Sequence, residues 1–305
     1  MVVPCYNEEA SLPETHRRLS DVMGSLNAGS ELIYINDGSR DGTHDILNTI
    51  AEQDPHVRAA HFARNAGHQM AVTAGLRYAC GDAIIIIDAD LQDPPEIIPE
   101  MAEKWKSGVQ VVYGQRRKRH GESVFKRLTA YMFYRVLAAL TGNRIPPDTG
   151  DFRLVDRQVA DVINSMPEHA RFLRGMFAWV GFRQEPVLYD RDIRFAGETH
   201  YPLRKMLRLA ADGIIGFSSK PLSWVLWAGV FWTGAALITS AVLLIMLICG
   251  RSGGLWWFAS LAALLAGNLM LALGIAGSYI ARIFDETRGR PLYIVAEEKG
   301  FPTKA

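Results

Sequence analysis

The chain has 305 residues, enough for one large domain or two of ordinary size. Its formal net charge of +1 favours no class of charged partner, and its three widely spaced cysteines exclude a disulfide framework or a zinc-binding pattern. Almost all carboxylates lie before residue 220, whereas residues 222–283 are nearly free of charge. A polar segment is therefore followed by a strongly apolar one.

Strand and helix patterns alternate along the polar segment. We expect a first strand ending at Val2-Val3, already under way at Met1 with no signal peptide before it. A helix should follow from Ser11, with Glu14 completing a capping box, and Asp41 or Thr43 should cap a second helix. The first of these helices should extend over residues 12–27, and further helices are predicted at 68–79, 95–106 and 131–140. Further strands are predicted at 32–35, 57–62, 84–88 and 109–113. This alternation predicts an α/β fold with a doubly wound parallel sheet and right-handed crossovers.

The most informative stretch is residues 83–95. Four consecutive isoleucines indicate a strand buried on both faces, and Asp88, Asp90 and Asp93 follow directly. In extended backbone, Asp88 and Asp90 leave the same side of the strand, where their carboxylates repel unless a cation lies between them. Such a pair suits Mg²⁺ or Mn²⁺ bound to a diphosphate. The alternative is a solvated acidic loop after a core strand.

Two other predicted strands also end in polar clusters, Tyr6-Asn7-Glu8 and Asp37-Gly38-Ser39. In a parallel sheet these ends share one edge, where nucleotides bind. No glycine-rich GxGxxG or Walker motif is present, so a metal would have to neutralise the phosphates.

Basic residues follow the fifth predicted strand, at 116–119 and 126–127. They form either a solvated loop or a phosphate-binding one, for which arginine is suited. The polar turn expected at 148–153 contains Asp151, as a helix cap or as an active-site carboxylate. Residues 202–217 have the pattern of a basic amphipathic helix on a membrane surface, with an ordinary half-buried helix as the alternative.

Two apolar segments, residues 224–249 and 255–281, are each long enough to cross a bilayer. Residues 250–254 would join them as a hairpin, and tryptophans lie near the segment ends, as interfacial anchors do. Lysines and arginines are concentrated on the two outer flanks, which places both flanks in the cytoplasm. Asn268 is expected to form a hydrogen bond between the helices or to contact lipid phosphate.

Three motifs in this order resemble those of a known family: residues 3–8, residues 36–43 and residues 88–95. They are similar to the inverting family 2 glycosyltransferases with the GT-A fold. Together with the two apolar helices, the chain resembles the polyprenyl-phosphate glycosyltransferases, which include bactoprenol glucosyltransferases and dolichol-phosphate mannose synthases. The resemblance extends from the first residues to about Ile283.

The resemblance implies a domain order and a location. A GT-A catalytic domain would occupy residues 1–200, an amphipathic juxtamembrane helix 201–221, a two-helix transmembrane hairpin 222–283 and a cytoplasmic tail 284–305. The protein would lie in the plasma (inner) membrane, with the catalytic domain and both termini in the cytoplasm.

The resemblance also implies the substrates and the site. A nucleotide sugar, UDP-glucose, would donate one sugar to undecaprenyl phosphate with Mg²⁺ or Mn²⁺ bound. The donor-binding residues would be Pro4, Tyr6, Asn7, Glu8, Asp37, Ser39, Asp88, Gln92 and Arg116. Asp88, Asp90 and Gln92 would hold the metal, and Asp90, Asp151, Arg127 and Arg194 would be catalytic. One departure is His200, which stands where relatives have a lysine.

Other functions remain open at this point. They are a GDP-mannose-dependent mannose synthase, a processive polysaccharide synthase, and a membrane-anchored nucleotide-sugar binder without turnover. The chain lacks the Gln-x-x-Arg-Trp signature of the processive enzymes. We expect no nucleic-acid partner, and homo-oligomerisation is left open.

Overall fold

The computed structural model describes residues 1–26, 28–117, 149–169, 171–190, 220–250 and 255–302. The chain divides into two compact units, one formed by Met1–Met206 with Arg290–Ala305 and the other by Leu207–Gly289. Several predicted features lie outside the described residues. They are the basic loop beyond Arg117, Arg127, Arg194, His200 and the helices at 131–140 and 202–217.

Within the described residues, the first unit is built on one eight-stranded sheet with the order β7-β5-β6-β4-β1-β2-β3-β8. Six strands run in one direction, and β6 and β8 run against them. The strands are β1 (Val2–Cys5), β2 (Leu32–Asn36), β3 (Val57–Phe62), β4 (Ala83–Ile86), β5 (Val111–Arg116), β6 (Thr149–Asp156), β7 (Gln184–Tyr189) and β8 (Val295–Lys299). The mostly parallel α/β sheet is as predicted.

Six described helices accompany the sheet. They are α1 (Leu12–Ser25), α2 (Thr43–Gln53), α3 (His68–Tyr78), α4 (Ile98–Lys106, after a 3-10 turn at Pro95–Ile97), α5 (Arg157–Ser165) and α6 (Leu173–Trp179). The N-cap of α2 is Gly42, not Asp41 or Thr43 as predicted, although Asp41 Oδ1 accepts the Thr43 amide at 3.1 Å. The capping box predicted for α1 is wrong. The Ser11 hydroxyl donates to the Glu8 carboxylate at 2.6 Å and caps no helix amide.

Helices pack on both faces of the sheet. On one face, Val3 and Cys5 of β1 join a buried cluster with Leu19 of α1 and Leu47 of α2. Because neighbouring strand residues point to opposite faces, Val2 lies on the other side, against α3. A Cβ at Gly75 of α3 would lie 2.0 Å from Val2 Cγ1, so this close helix–strand contact requires glycine.

Strand β6 corrects one prediction. Residues 148–153 were expected to form a polar turn, but Thr149–Asp156 is a strand between β4 and β5, antiparallel to both. Its residues are buried from Thr149 to Val155 because Phe152 and Leu154 enter the core while the backbone pairs on both sides. The amino end of β6 therefore lies at the same edge as the carboxyl end of β4.

Strand β8 follows the apolar region in sequence and returns to the sheet. Residues 284–305 were assigned to a tail, and the structure places Val295–Lys299 antiparallel to β3. The Ala63 amide also donates to the Ile294 carbonyl at 2.9 Å. Glu297, Glu298 and Lys299 put charge on this outermost strand, which discourages pairing with another chain.

The second unit contains two long helices, α7 (Lys220–Ile248) and α8 (Leu255–Thr287), which contact each other. In the described part of the chain, Leu222–Met246 and Leu264–Thr287 are long and apolar enough to cross a membrane, and their apolar side chains are largely exposed. Large exposed apolar surfaces of this kind are typical of lipid-facing helices.

Candidate active site

The polar strand ends meet at one edge of the sheet. β1, β2, β4 and β5 end there, and the antiparallel β6 begins there. The register pairs Ile86 with Arg153 and Gln115 with Thr149, so Asp151 lies between the residues that follow β4 and those at the end of β5. Residues more than 60 positions apart in sequence are thereby assembled into one acidic and basic cluster.

Asp151 accepts several hydrogen bonds at this edge. It accepts hydrogen bonds from His68 Nε2 at 3.0 Å, Gln69 Nε2 at 3.4 Å, and Arg174 Nε and Nη2 at 2.8 and 3.2 Å. Burial acts to raise the pKa of Asp151, but the Arg174 charge and the hydrogen bonds from His68 and Arg174 hold it well below its usual range. Asp151 is therefore ionised and poorly suited to accept a proton.

His68, the first residue of α3, links two carboxylates. Its Nε2 lies 3.0 Å from Asp151 Oδ2 and 3.7 Å from Asp88 Oδ1. Burial opposes protonation of His68, but the charges of Asp88 and Asp151 and the hydrogen bond to Asp151 outweigh it and raise its pKa to about 9. At neutral pH His68 is therefore a cation.

Asp88 differs from Asp151 in lacking strong partners among the residues that the structure describes. Its Oδ1 is buried and accepts no hydrogen bond from any of them. Burial is the main cause that raises the pKa of Asp88 to about 6. The charge of His68 opposes this rise, and the charges of Asp151, Asp93 and Asp90 add to it. A buried carboxylate oxygen without a donor, next to other carboxylates, is a site that a cation would stabilise.

Asp90 lies in the tight turn after β4. It is 8% exposed, and its Oδ1 accepts the Gln92 amide at 3.1 Å. Between them, Leu91 is buried with a φ of +57°, an uncommon conformation for a side chain of this kind. Backbone strain of this kind is concentrated at functional sites.

The donor set fits a divalent cation that is completed by substrate. Among the described residues, no three His, Cys, Asp or Glu side chains could by themselves hold a metal ion. Mg²⁺ commonly binds through one or two carboxylates together with substrate phosphates and water. Asp88 and Asp90 would be its protein ligands. When bound, the ion would neutralise charge that develops on a leaving diphosphate. Gln92, also predicted as a ligand, contributes its backbone amide to the turn.

A second buried cluster lies at the end of β5. The Tyr189 hydroxyl donates to the Asp93 carboxylate, and Arg116 Nε donates to the Tyr189 oxygen at 3.3 Å. Arg116 Nη2 is 3.8 Å from Asp93 Oδ1. Burial opposes the charge of Arg116, but Tyr189 and Asp93 raise its pKa. Arg116, a predicted phosphate ligand, is therefore charged and held in place by these two residues.

The loops after β1, β2 and β3 are tied together by the residues predicted to bind the nucleotide. The Asn7 amide donates to Ser39 Oγ at 2.9 Å, and the Glu8 amide donates to Thr43 Oγ1 at 2.9 Å. Asp37 accepts the amides of Ala66 and Gly67, the latter at 2.9 Å.

Glycine is required at the turn after Asp37. Gly38 has a φ of +66°, and a Cβ there would lie 2.6 Å from the Arg64 carbonyl carbon. Of the remaining predicted nucleotide ligands, Pro4 is buried in β1 and Tyr6 is 43% exposed. Tyr6 thus exposes its ring in the loop after β1, which hydrogen bonds tie to the loop after β2.

Comparison with known proteins identifies the family. The model of Glycosyl transferase family 2 matches residues 1–163. The chain belongs to this family. Its GT-A fold and its activity as a glycosyltransferase, both expected from the motifs, are thereby confirmed.

Full-length relatives support the assignment to family 2. An "Uncharacterized glycosyltransferase YkcC" of Bacillus subtilis (strain 168) is 48% identical over 100% of this chain and 95% of its own length. A "Prophage bactoprenol glucosyl transferase homolog" of Escherichia coli (strain K12) is 37% identical, and the "Bactoprenol glucosyl transferase" of Shigella phage SfV is 36% identical. Each of these two alignments covers 98% of both chains.

Among solved structures, glucosyl-3-phosphoglycerate synthase from Mycobacterium tuberculosis in complex with Mn²⁺, uridine diphosphate and phosphoglyceric acid is similar to this family 2 chain. The TM-score is 0.48 at 21% identity, covering 70% of this chain and 75% of that chain.

The structure adds four residues to the predicted family 2 site: His68, Gln69, Arg174 and Tyr189. None stands in the three motifs or at a predicted strand end. His68 and Gln69 begin the helix that follows β3. Because β3 ends at the same edge of the sheet, their position in the sequence could have indicated that they belong to the site. Arg174 and Tyr189 lie beyond β6 and gave no local signal. Arg127 and Arg194 lie outside the described residues and stay predictions.

Proposed function

We propose that the protein transfers one glucose from UDP-glucose to a polyprenyl phosphate at the cytoplasmic membrane face. The observation that carries this proposal is the ionisation state of the Asp151 carboxylate. Because Arg174 and His68 hold the pKa of Asp151 well below its usual range, its carboxylate has little affinity for a proton and is a weak general base. A hydroxyl acceptor needs a base, whereas a phosphate is already anionic and attacks without one. The site therefore favours a phosphate acceptor.

The donor would occupy the rest of the same edge. The loops after β1 and β2 lie where nucleosides bind in parallel sheets. These loops contain the predicted donor ligands Tyr6, Asn7, Glu8, Asp37 and Ser39. Pro4 would support the base from β1, and Asp88 with Asp90 would hold Mg²⁺ or Mn²⁺ against the diphosphate. Arg116, kept charged by its buried partners, would stabilise the departing UDP. Gln92, Arg127 and Arg194 retain their predicted roles toward metal and phosphates.

The relatives support the acceptor and the sugar. Two full-length relatives at 36–37% identity are named for bactoprenol glucosyl transfer. We extend that activity to this chain, with a polyprenyl phosphate as acceptor and glucose as the sugar. No observation in the described residues favours GDP-mannose.

Chain connectivity supports the proposed membrane topology. Met1–Met206 and the strand β8 after α8 belong to the same unit, and β8 pairs with β3 of the catalytic sheet. A chain that leaves and re-enters one domain must cross a bilayer an even number of times. We therefore propose that α7 and α8 cross the membrane as a hairpin, with the carboxyl end of α7 and the amino end of α8 on the far side. The juxtamembrane role of residues 202–217 remains a sequence prediction.

The test is a transfer assay on the purified full-length chain in lipid nanodiscs containing undecaprenyl phosphate. A panel of nucleotide sugars with Mg²⁺ or Mn²⁺ should give a lipid carrying one sugar, fastest with UDP-glucose. Asp90→Asn serves as the inactive control and the exposed Arg183→Gln as the active one. Long polymer would identify a processive synthase. UDP-glucose binding without turnover in any combination would identify a binding protein.

A further inference from the structure

Asp151 is held by side chains from two helices that flank it. His68 and Gln69 come from the start of α3, and Arg174 comes from α6. Gln69 also joins the two helices, because its Oε1 accepts the Leu173 amide of α6 at 2.9 Å. The start of α6 is therefore fixed beside the carboxylate that Arg174 contacts.

The backbone around Asp151 is tied to the same helix. Arg153 is buried and donates to the carbonyls of Gly150 at 2.9 Å and Asp151 at 3.3 Å. Its guanidinium carbon lies 4.5 Å from the ring centroid of Phe177 on α6, a cation–π contact. Both the side chain and the carbonyl of Asp151 are thus positioned with reference to α6.

The two oxygens of Asp151 are used unequally. Oδ2 accepts from His68, Gln69 and Arg174 Nη2, whereas Oδ1 accepts only from Arg174 Nε among the described residues. A carboxylate oxygen has two acceptor positions, so Oδ1 retains capacity for one more partner. That capacity lies in a residue that is 8% exposed, near Asp88 and its predicted metal.

We propose that Arg174 is a positioning residue of the transfer reaction, which fixes the Asp151 carboxylate so that Oδ1 meets the sugar being transferred. This inference rests on the proposed function and assigns a role to a residue outside the predicted motifs. The planar guanidinium spans both carboxylate oxygens and sets the plane of the group, which a lysine ammonium cannot do. Errors of about 1 Å in such placement cost about 100-fold in rate.

The test compares Arg174→Ala and Arg174→Lys with wild type, and uses Arg183→Ala as the matched control. Arg183 is an exposed arginine whose guanidinium pairs with Glu185 at 2.7 Å. Arg174→Ala should lower kcat about 100-fold, while the donor KM and the Kd for UDP stay near wild type because Arg174 acts on Asp151. Arg174→Lys should remain at least about tenfold slow.

Chemical rescue separates positioning from general support of the fold. Added guanidinium should restore turnover to Arg174→Ala, and added urea at the same concentration should not. The proposal is overturned by full activity of Arg174→Lys, or by a loss in Arg174→Ala that follows the melting temperature and resists guanidinium. If Arg174→Ala does not fold, the kcat and KM of Arg174→Lys decide the question.

A second assay keeps this inference distinct from the proposed acceptor. If Asp151 Oδ1 meets the transferred sugar, the slow hydrolysis of UDP-glucose by water should depend on the same carboxylate without any lipid. Failure of wild type to glycosylate undecaprenyl phosphate would remove the proposed function alone. Equal hydrolysis by wild type and Arg174→Ala would remove the positioning role alone.

Discussion

Tyr293, which follows the last apolar helix in sequence, stacks on Phe62 at the end of β3, with ring centroids 4.8 Å apart and ring planes inclined by 7°. Beyond β8, Phe301 packs against Tyr78 at 4.6 Å, and Arg58 lies over the Phe301 ring. Aromatic contacts therefore fix β8 at both of its ends. The strand is an integral part of the catalytic sheet.

This stacking predicts a measurable loss of stability. Tyr293→Ala should lower the free energy of unfolding by about 1–2 kcal/mol, because it removes an aromatic pair and part of its buried area. Thermal unfolding of the purified chain in detergent would measure it. Ile294→Ala is the matched control, since Ile294 is 53% exposed and should change stability by less than about 0.5 kcal/mol. Equal effects of the two variants would contradict the role of the stack.

Two helix glycines should respond to alanine in opposite ways. Gly75→Ala would place a Cβ 2.0 Å from Val2 Cγ1 and should cost about 1–3 kcal/mol of stability through overpacking. Gly24 in α1 has open space around its Cα, so Gly24→Ala should stabilise by about 0.5–1 kcal/mol. The two melting temperatures should lie on either side of the wild-type value. A stable Gly75→Ala protein would disprove the close packing of α3 on β1.

The acidic pair after β4 predicts dependence on a divalent cation. Asp88→Asn and Asp90→Asn should each lower kcat by at least about 100-fold while the protein stays folded and membrane-bound. EDTA should abolish wild-type turnover, and added Mg²⁺ or Mn²⁺ should restore it. Asp161→Asn, an exposed residue paired with Arg157, is the matched control. Activity that survives both EDTA and Asp90→Asn would leave the metal site without support.

His61 predicts a loss of stability in acid. It is buried on β3, where it contacts Asn36 and Asn48, and His44 faces it with ring centroids 4.2 Å apart. Burial and the His44 charge lower the pKa of His61 from its ordinary 6.5 to about 4, against the weaker opposing effect of Glu297. Between these two values the unfolded chain binds a proton that the folded protein does not. Stability should therefore fall as pH drops from 6.5 to 4.

The lowered pKa of His61 corresponds to a loss of about 3 kcal/mol in the free energy of unfolding as the pH falls through this range. The conversion is about 1.4 kcal/mol for each unit by which the pKa is lowered. Unfolding measured across this range should show a shallower pH dependence in His61→Gln than in wild type. At pH 8, His61 is neutral in both the folded and the unfolded protein. The stability difference between the variant and wild type at that pH therefore reports only the lost hydrogen bonds, and not the protonation of His61. An unchanged slope would mean that His61 titrates normally in the folded protein.

Local sequence patterns predicted most of the parallel sheet. β3 begins and ends where the pattern of Val57–Phe62 indicated, and the four isoleucines lie in or next to β4. β6, β7 and β8 were missed for a common reason: all three contain charged residues and pair with strands distant in sequence. Such pairing depends on the whole sheet and leaves no periodic signal in a short segment.

The site was predictable where it followed strand ends. Asp88, Asp90 and Asp151 lie at one edge as the motifs indicated, although Asp151 reaches it on an unpredicted strand. The partners of Asp151 were missed because His68 is 83 and Arg174 is 23 residues away in sequence. The sequence alone indicates which carboxylates belong to the site. Only the fold shows which basic side chains lie beside them and shift their pKa values.

The late position of β8 has a consequence for biosynthesis. Glu297 is 253 residues beyond His44, which it contacts, and both apolar helices emerge from the ribosome before it. Until then the edge of β3 has no partner, and an open strand edge invites aggregation. Completion of the catalytic sheet thus waits for synthesis of the anchor. A chain whose synthesis stops within the apolar region therefore lacks the outermost strand of its catalytic sheet.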